Sequence, residues 1–181
     1  MAEEQNPAQT PGLGDADGGM GAAAGEQAQR QFTLQKQYMK DASFEVPNAP
    51  QIFQETGKPE YKMNLAQRVA ELGENLHEVV LTLTITATMG EKTIYLVEVH
   101  ESGVFHIAGF SEQEQTVLIN TMCPHYLFPY ARSAINGMVT EGGFPPPPIQ
   151  PVNFDQVYAS RVQQAQQGAA EGGEAEEAPA A

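Results

Sequence analysis

Hydrophobic and polar positions alternate most regularly in the middle of the chain. In EVVLTLTITAT, apolar residues take every second position from Leu81 to Ala87, and threonines fill the positions between them. This period of two predicts a strand with one buried and one solvent-facing side. MGEK then predicts a tight turn through Gly90, and TIYLVEVH returns as the partner strand of an antiparallel hairpin. The pattern places Ile94, Leu96 and Glu98 on one face of that second strand and Tyr95, Val97 and Val99 on the other.

Two further strands are predicted before this hairpin. In FTLQKQYMKDASFEV, Phe32, Leu34 and Tyr38 recur at even spacing. Phe44 and Val46 then indicate a shift of face, so we expect a strand with a bulge or a bend. NAPQIFQETGKPEY is rich in turn residues and predicts a loop. The pattern of YKMNLAQRVAEL fits a strand or a helix, and its neighbours favour a strand.

The period changes to that of helices after SGVFHIAGF. Ser111 followed three residues later by Glu114 is a capping-box pattern, and it predicts a helix that ends at the break before Pro124. A second helix is expected from about Pro129, with apolar residues on one side and Gly142 at its end.

Four consecutive prolines in GGFPPPPIQPVNFDQVY precede one more predicted helix. Asn153 fits an N-cap with Gln156 at the third position, and apolar residues recur from Phe154 to Val162 on one helical face. A helix with such a face must dock onto other elements. We therefore interpret the prolines as a stiff strap that crosses the domain and fixes where the helix lands. Tandem prolines also bind SH3-type domains, but a run enclosed by packed elements favours the structural interpretation.

Charge and composition divide the chain into a domain and two tails. The 181 residues carry a formal net charge of −14, to which residues 1–31, 32–164 and 165–181 contribute −4, −6 and −4. Residues 1–31 and 165–181 have little apolar surface to bury, so we predict disordered acidic tails around one domain at 32–164. The acidic balance repels phosphate backbones, and no cluster of Lys and Arg offsets it, which argues against nucleic-acid binding.

The sequence shows neither a secretory signal nor a membrane-spanning run, so we expect a soluble, cytoplasmic protein. Cys123 is the single cysteine, and together with His125, His100 and His106 it makes no recognisable set of zinc ligands. We expect no metal or other cofactor. No catalytic triad with supporting context, Gly-rich phosphate loop or paired-carboxylate motif is visible, so an enzyme is not expected.

Four stretches, YMKDASFEVPNAPQIF, LVEV, CPHYLFPYARSAINGMV and GGFPPPPIQPVNFDQVY, together resemble the SecB family of bacterial export chaperones. The resemblance implies an α+β fold, a four-stranded antiparallel sheet with helices on one face, that assembles as a homotetramer, a dimer of dimers. It also implies an ATP-independent chaperone, free of nucleotide and metal, that holds non-native precursor proteins in an apolar groove. The chaperone would pass these precursors to the SecA motor, whose C-terminal segment is basic and zinc-bearing in this family.

The resemblance also implies two sets of functional residues. The polypeptide groove would be lined by Tyr95, Tyr130, Phe144, Val157 and Tyr158. The SecA-binding patch would contain Asp41, Glu45, Leu96 and Glu98. A groove tryptophan found in some relatives aligns with Gly57 here. Ordinary core residues are the alternative interpretation of the aromatic side chains, and without the resemblance a solvated face is the favoured interpretation of the acidic patch. An oligomeric peptide-binding module without an export role, and more distantly an esterase-like enzyme, would then be the alternatives.

Overall fold

The computed structural model of the protein describes residues 29–173. Four long strands form one antiparallel sheet, which confirms the predicted strand content, and they are β1 (Gln31–Glu45), β2 (Glu60–Gly73), β3 (Leu76–Met89) and β4 (Lys92–Ala108). Their order across the sheet is β1-β4-β3-β2. The connection from β1 to β2 therefore passes over two strands, and it contains a short 3-10 helix (Gln51–Gln54).

The two faces of the sheet differ as the alternation in β3 predicts. Leu83 and Ile85 are buried, and the threonines between the apolar residues are only half-buried. Gly90 makes the turn into β4 with φ of +58°, in the left-handed region that glycine adopts without strain. We call the side that carries Leu83 and Val99 the helix face, and the side that carries Thr84 and Glu98 the open face.

Three helices follow the sheet, namely α1 (Glu112–Asn120), α2 (Met122–Glu141) and α3 (Phe154–Gly173). The predicted capping box is present at the start of α1, where the Glu114 backbone donates to Ser111 Oγ and the Ser111 backbone donates to Glu114 Oε2 at 2.9 Å. Asn153 caps α3, because its Oδ1 accepts from the Gln156 backbone at 3.0 Å. Both helix starts are thus where the sequence places them.

The start of α2 differs from the expectation. The helix begins at Met122 rather than near Pro129, and Pro129 lies inside it. Pro124 falls in the first turn of α2, where a missing N–H removes no intrahelical bond. The Cys-Pro pair therefore does not interrupt the helix. Pro129 removes only the bond to the carbonyl of His125, which lies on the exposed side of the helix.

Two bulges in β1 confirm the predicted bulge, but they leave Phe44, which pairs with Val97, on the same face as Phe32 and not on a shifted one. Register shifts follow Leu34 and Met39. Phe32 and Leu34 pair with helix-face residues, but Tyr38 pairs with Ser102 and hydrogen-bonds Glu78 on the open face. Even spacing therefore does not place Tyr38 with Phe32, because the first bulge inserts one extra residue between them.

A third bulge corrects the predicted face of Ile94. The β3–β4 register shifts between Ala87 and Thr88, which pair with Tyr95 and Thr93 and leave Ile94 as the extra residue. Ile94 and Tyr95 are both buried, and they line the same cavity. Ile94 therefore does not share the open face with Leu96 and Glu98, although those two lie opposite Tyr95 as predicted.

The helices pack on one face of the sheet, as expected. One side of α2 covers β4 and β3 through Leu127, Ala131, Ile135 and Val139, and all four are fully buried. Among residues 29–173 no helix is long and apolar enough to cross a membrane. Helix α3 continues to Gly173, past residue 165 where the sequence places the start of the tail. Residues 1–28 and 174–181 lie outside the described part of the chain, so the disorder expected of both tails stays a prediction.

Candidate functional site

An apolar cleft of about 220 Å³ opens at the end of the sheet where the β1–β2 loop, the β3–β4 turn and the chain after α2 meet. Its walls come from four separate parts of the sequence. The residues that line it are Ile52, Phe53, Glu55, Pro59, Tyr61, Met89, Ile94, Tyr95, Phe144 and Pro145. All but Glu55 have apolar or aromatic side chains, so the cleft presents mainly hydrophobic surface.

Phe144 is at the centre of an aromatic group in this cleft. Its ring lies 4.9 Å from the ring of Phe53, nearly parallel at 18°, and 5.3 Å from the ring of Tyr95. Phe44 extends the group beneath the cleft, 5.8 Å from Tyr95. Such tilted and stacked pairs add about 0.5–1.5 kcal/mol each beyond the burial of their area. The rings therefore form a connected wall rather than isolated side chains.

The chain after α2 places Phe144 in the cleft. Gly143 has φ of +85°, a conformation that strains other residues, and it turns the chain so that the Phe144 backbone donates to the Val139 carbonyl at 3.1 Å. The proline strap, residues 144–152, then runs to the start of α3. Two of its own residues, Pro147 and Ile149, are buried. This arrangement agrees with the strap interpretation made from the sequence.

The hydroxyl of Tyr95 is the buried polar group in this wall. It has no hydrogen-bond partner among the described residues, although the side chain is only 2% exposed. Burial, with a smaller contribution from Tyr61, raises the pKa of Tyr95 well above its usual value. The hydroxyl therefore stays protonated over the ordinary pH range.

The structure brings together two of the five predicted groove residues, Tyr95 and Phe144. Tyr130 lies on the outer side of α2 and is 50% exposed. Val157 and Tyr158 are half-buried on α3, where Val157 lines a shallow surface along that helix. The assignment of these three residues to the groove stays a prediction.

The sequence analysis did not predict that Phe53, Tyr61 and Met89 line the cleft. Phe53 lies in the stretch that the sequence predicts only as a loop. A phenylalanine among Pro and Gly residues was the available sign that this loop packs against other apolar residues. Met89 packs directly against Gly57. A Cβ at position 57 would come within 2.8 Å of the Met89 sulfur. Met89 thus occupies the space that a side chain at position 57 would need.

The four residues predicted to bind SecA come together on the open face. Cross-strand pairing sets Glu45 opposite Leu96 and Asp41 opposite His100, with Glu98 between those two pairs. Directly paired side chains on one face lie about 5 Å apart. Strands β1 and β4 thus present Asp41, Glu45, Leu96 and Glu98 as one patch, which we call the acidic face.

Hydrogen bonds hold the carboxylate of Glu98 within this face. Oε2 accepts from Thr84 Oγ1 at 2.7 Å, and Oε1 lies 2.9 Å from His100 Nε2. The Thr84 bond first, and the His100 bond after it, lower the pKa of Glu98 below its usual range. Glu98 therefore keeps its negative charge to lower pH than an ordinary glutamate.

Comparisons with known proteins agree with this fold. Residues 25–165 match the family model described as SecB, preprotein translocase subunit SecB. The protein-export protein SecB of Methylococcus capsulatus is 49% identical over 144 residues, which cover 80% of this chain and 93% of that protein. Its counterpart from Xylella fastidiosa strain Temecula1 is 47% identical over 149 residues, covering 82% of this chain and 87% of the relative.

The fold is also similar to that of a solved structure. It is a SecB-like chaperone from Mycobacterium tuberculosis in complex with a ChAD peptide from the HigA1 antitoxin, with a TM-score of 0.57 at 14% identity over 67% of this chain and 90% of that one. The four-stranded antiparallel sheet with helices on one face thus defines a SecB-like α+β protein. The chain belongs to the SecB family, as its four characteristic stretches indicate.

Proposed function

We propose that the protein is a cytoplasmic, ATP-independent export chaperone that binds non-native precursor proteins and delivers them to SecA. Membership of the SecB family supports this role, as does the description of the relatives as protein-export proteins. The observation that carries the proposal is the open aromatic cleft formed by Phe53, Tyr95 and Phe144. Binding and transfer of a polypeptide need no catalytic group and no cofactor.

The cleft has the chemistry that a binder of unfolded chains needs. Aromatic side chains give a large contact area at low entropy cost and accept many apolar partners. Phe53 is 54% exposed at the rim, whereas Tyr95 is buried at the base, so an apolar side chain of a client contacts rings at both depths. Because only unfolded clients expose such side chains, binding shifts their folding equilibrium by mass action.

The strong negative charge supports the same role. A chaperone must expose apolar surface without aggregating with its own copies. The net charge of −14 makes copies of this chain repel one another, while contacts at short range inside an apolar cleft are little affected. The same charge argues against nucleic acid as a partner.

Uncovered apolar surface supports assembly as a homotetramer, a dimer of dimers. Strand β2 pairs through Tyr61, Met63 and Val69 with helix-face residues, yet these three side chains are about 40% exposed. Exposed apolar residues of α2 lie on the same side of the sheet, and they are Met122, Tyr126 and Tyr130. Strands β1 and β2 are also free edges of the sheet, and free edges can pair with another copy.

The acidic face supports SecA as the receiving partner. It lies on the open face, away from the cleft and from α2, so a client and SecA would contact different surfaces. A basic segment would be attracted and oriented by the carboxylates of this face. Glu98→Lys is expected to weaken SecA binding while holding of a client continues, and equal SecA binding by both proteins would remove Glu98 from the interface.

A refolding experiment tests the whole proposal. A denatured, slow-folding secretory precursor is diluted into buffer with one assembled chaperone per client and no nucleotide, and the rate of refolding is followed. Slowed refolding together with a tetramer-sized native mass supports the chaperone. Unaltered refolding contradicts it and favours an oligomeric peptide-binding module without an export role.

A further inference from the structure

Four polar side chains form a connected line across β3 and β4 on the open face. Thr84 is the cross-strand partner of Glu98, and Thr82 is the partner of His100. Thr84 donates to one oxygen of Glu98, His100 contacts the other, and the Thr82 hydroxyl lies 3.4 Å from His100 Nδ1. Both oxygens of the Glu98 carboxylate are therefore held from within the sheet.

This line fixes where the charge of Glu98 points. A free glutamate on a surface strand samples several rotamers and loses that freedom when a partner binds. Glu98 has already lost it, so less entropy remains to be lost on binding. Its side chain is still 37% exposed, and each carboxylate oxygen has a second lone pair that can accept from Lys or Arg.

His100 holds the other oxygen of the Glu98 carboxylate. Its Nε2 lies 2.9 Å from Glu98 Oε1, and the Thr82 hydroxyl lies 3.4 Å from its Nδ1. An imidazole that donates from Nε2 to Glu98 can accept at Nδ1 from Thr82. His100 therefore restrains Glu98 from β4, as Thr84 does from β3.

We propose that Thr84 and His100 are positioning residues of the acidic face, which together aim the carboxylate of Glu98 at a basic segment of the partner. This inference rests on the proposed docking of SecA. The two contributions are separable, because Thr84 holds one oxygen of the carboxylate and His100 holds the other.

Titration of purified SecA into the assembled chaperone tests the orientation. Thr84→Val keeps the shape of the side chain and removes the donor, and the affinity should fall about three- to tenfold, as expected for the loss of one hydrogen bond. Thr84→Ser should restore it. Thr86→Val is the matched control, since Thr86 lies on the same face of β3 but pairs with Leu96, and its affinity should stay within about twofold of wild type. Thr84→Ala replaces Thr84→Val if the latter does not assemble.

The same titration with two variants of His100 tests the second contact. His100→Phe keeps a planar ring and removes the donor to Glu98, so the affinity should fall about three- to tenfold. His100→Gln keeps an amide donor near Glu98 and should stay closer to wild type. Wild-type affinity of both Thr84→Val and His100→Phe overturns the inference.

Glu98→Lys separates this failure from failure of the proposed function. If Glu98→Lys loses SecA binding while the Thr84 and His100 variants behave as wild type, the docking face stands and the positioning roles are wrong. If Glu98→Lys binds as wild type, the acidic face is not the docking surface, and the proposed function and this inference are both contradicted there.

Discussion

The ring of Phe144 stacks on the ring of Phe53, although 91 positions of sequence number separate the two residues. Phe53 belongs to the β1–β2 loop, and Phe144 begins the proline strap. The contact joins two connecting segments at the rim of the cleft, the short 3-10 helix Gln51–Gln54 and the start of the strap. Each ring therefore helps to fix the position of the other.

Phe53→Ala should weaken the binding of a non-native client about three- to tenfold, because the variant removes an exposed ring and the stacking partner of Phe144. The melting temperature should change little, since Phe53 is 54% exposed. Calorimetry with a permanently unfolded client measures the effect. Leu72→Ala is the matched control, because Leu72 is 53% exposed and lies at the opposite end of β2 from Tyr61. An equal loss in both variants would mean that the cleft has no special part in binding.

Tyr158→Ala should lower client affinity while the native mass of the assembly persists, if α3 contributes to the groove as the family resemblance implies. Tyr158 is half-buried, so its removal should cost about 1–2 kcal/mol of stability at most. Gln163→Ala, at an exposed position of the same helix, is the control. Unchanged affinity by calorimetry would remove Tyr158 from the groove.

Gly142→Ala should destabilise the protein by about 1–3 kcal/mol, because the added Cβ would overlap the ring of Phe44, which packs on Tyr95. Gly137→Ala is the control, at a position inside α2, the helix that Gly142 caps. A Cβ at Gly137 meets no atom within 4 Å, so this variant should gain up to about 1 kcal/mol from helix propensity. Urea unfolding of both variants measures the difference, and equal midpoints would show that Phe44 moves aside without cost.

Glu101→Gln should stabilise the protein at pH 8 by about 1 kcal/mol. Glu101 is 1% exposed on the helix face opposite Leu81, and it accepts a hydrogen bond from the Gln37 amide. Burial raises the pKa of Glu101, while the bond from Gln37 partly offsets this shift. The folded state thus binds the proton more tightly than the unfolded state, so the stability of the wild type decreases as the pH rises through the raised pKa.

The gain from Glu101→Gln should therefore shrink as the pH approaches the ordinary pKa of a glutamate, about 4.3. Thermal or urea unfolding of wild type and variant at several pH values measures this trend. Glu71→Gln, at an exposed position of β2, removes the same charge and should show no such gain. A pH-independent difference between wild type and Glu101→Gln would indicate that Glu101 has the same pKa in both states.

Local pattern predicted much of the fold. The alternation in β3, the capping box at Ser111 and the N-cap at Asn153 each depend on a few neighbouring residues, and the structure confirms all three. The prediction that Leu96 and Glu98 share one face of β4 is also confirmed, since no bulge lies between them.

The failed predictions of side-chain facing depend on pairing between strands. Alternation along one strand is reset wherever a bulge inserts a residue, and the position of a bulge is decided by the register with the partner strand. Tyr38 and Ile94 each lie next to such a reset. The cleft was predicted only in part for a related reason, because Phe53 and Met89 meet Phe144 through the topology of the sheet and not through any spacing in the sequence.

The proline strap also limits how an extended polypeptide can bind at the cleft. Pro145, Pro146, Pro147 and Pro148 lack backbone N–H groups, so this rim of the cleft offers carbonyl acceptors and no donors. An extended client cannot add to it as another strand, since the ladder of alternating donors and acceptors cannot form. A client bound as proposed would therefore be held at this rim through its side chains, and the rim cannot seed the strand-to-strand growth by which unfolded chains aggregate.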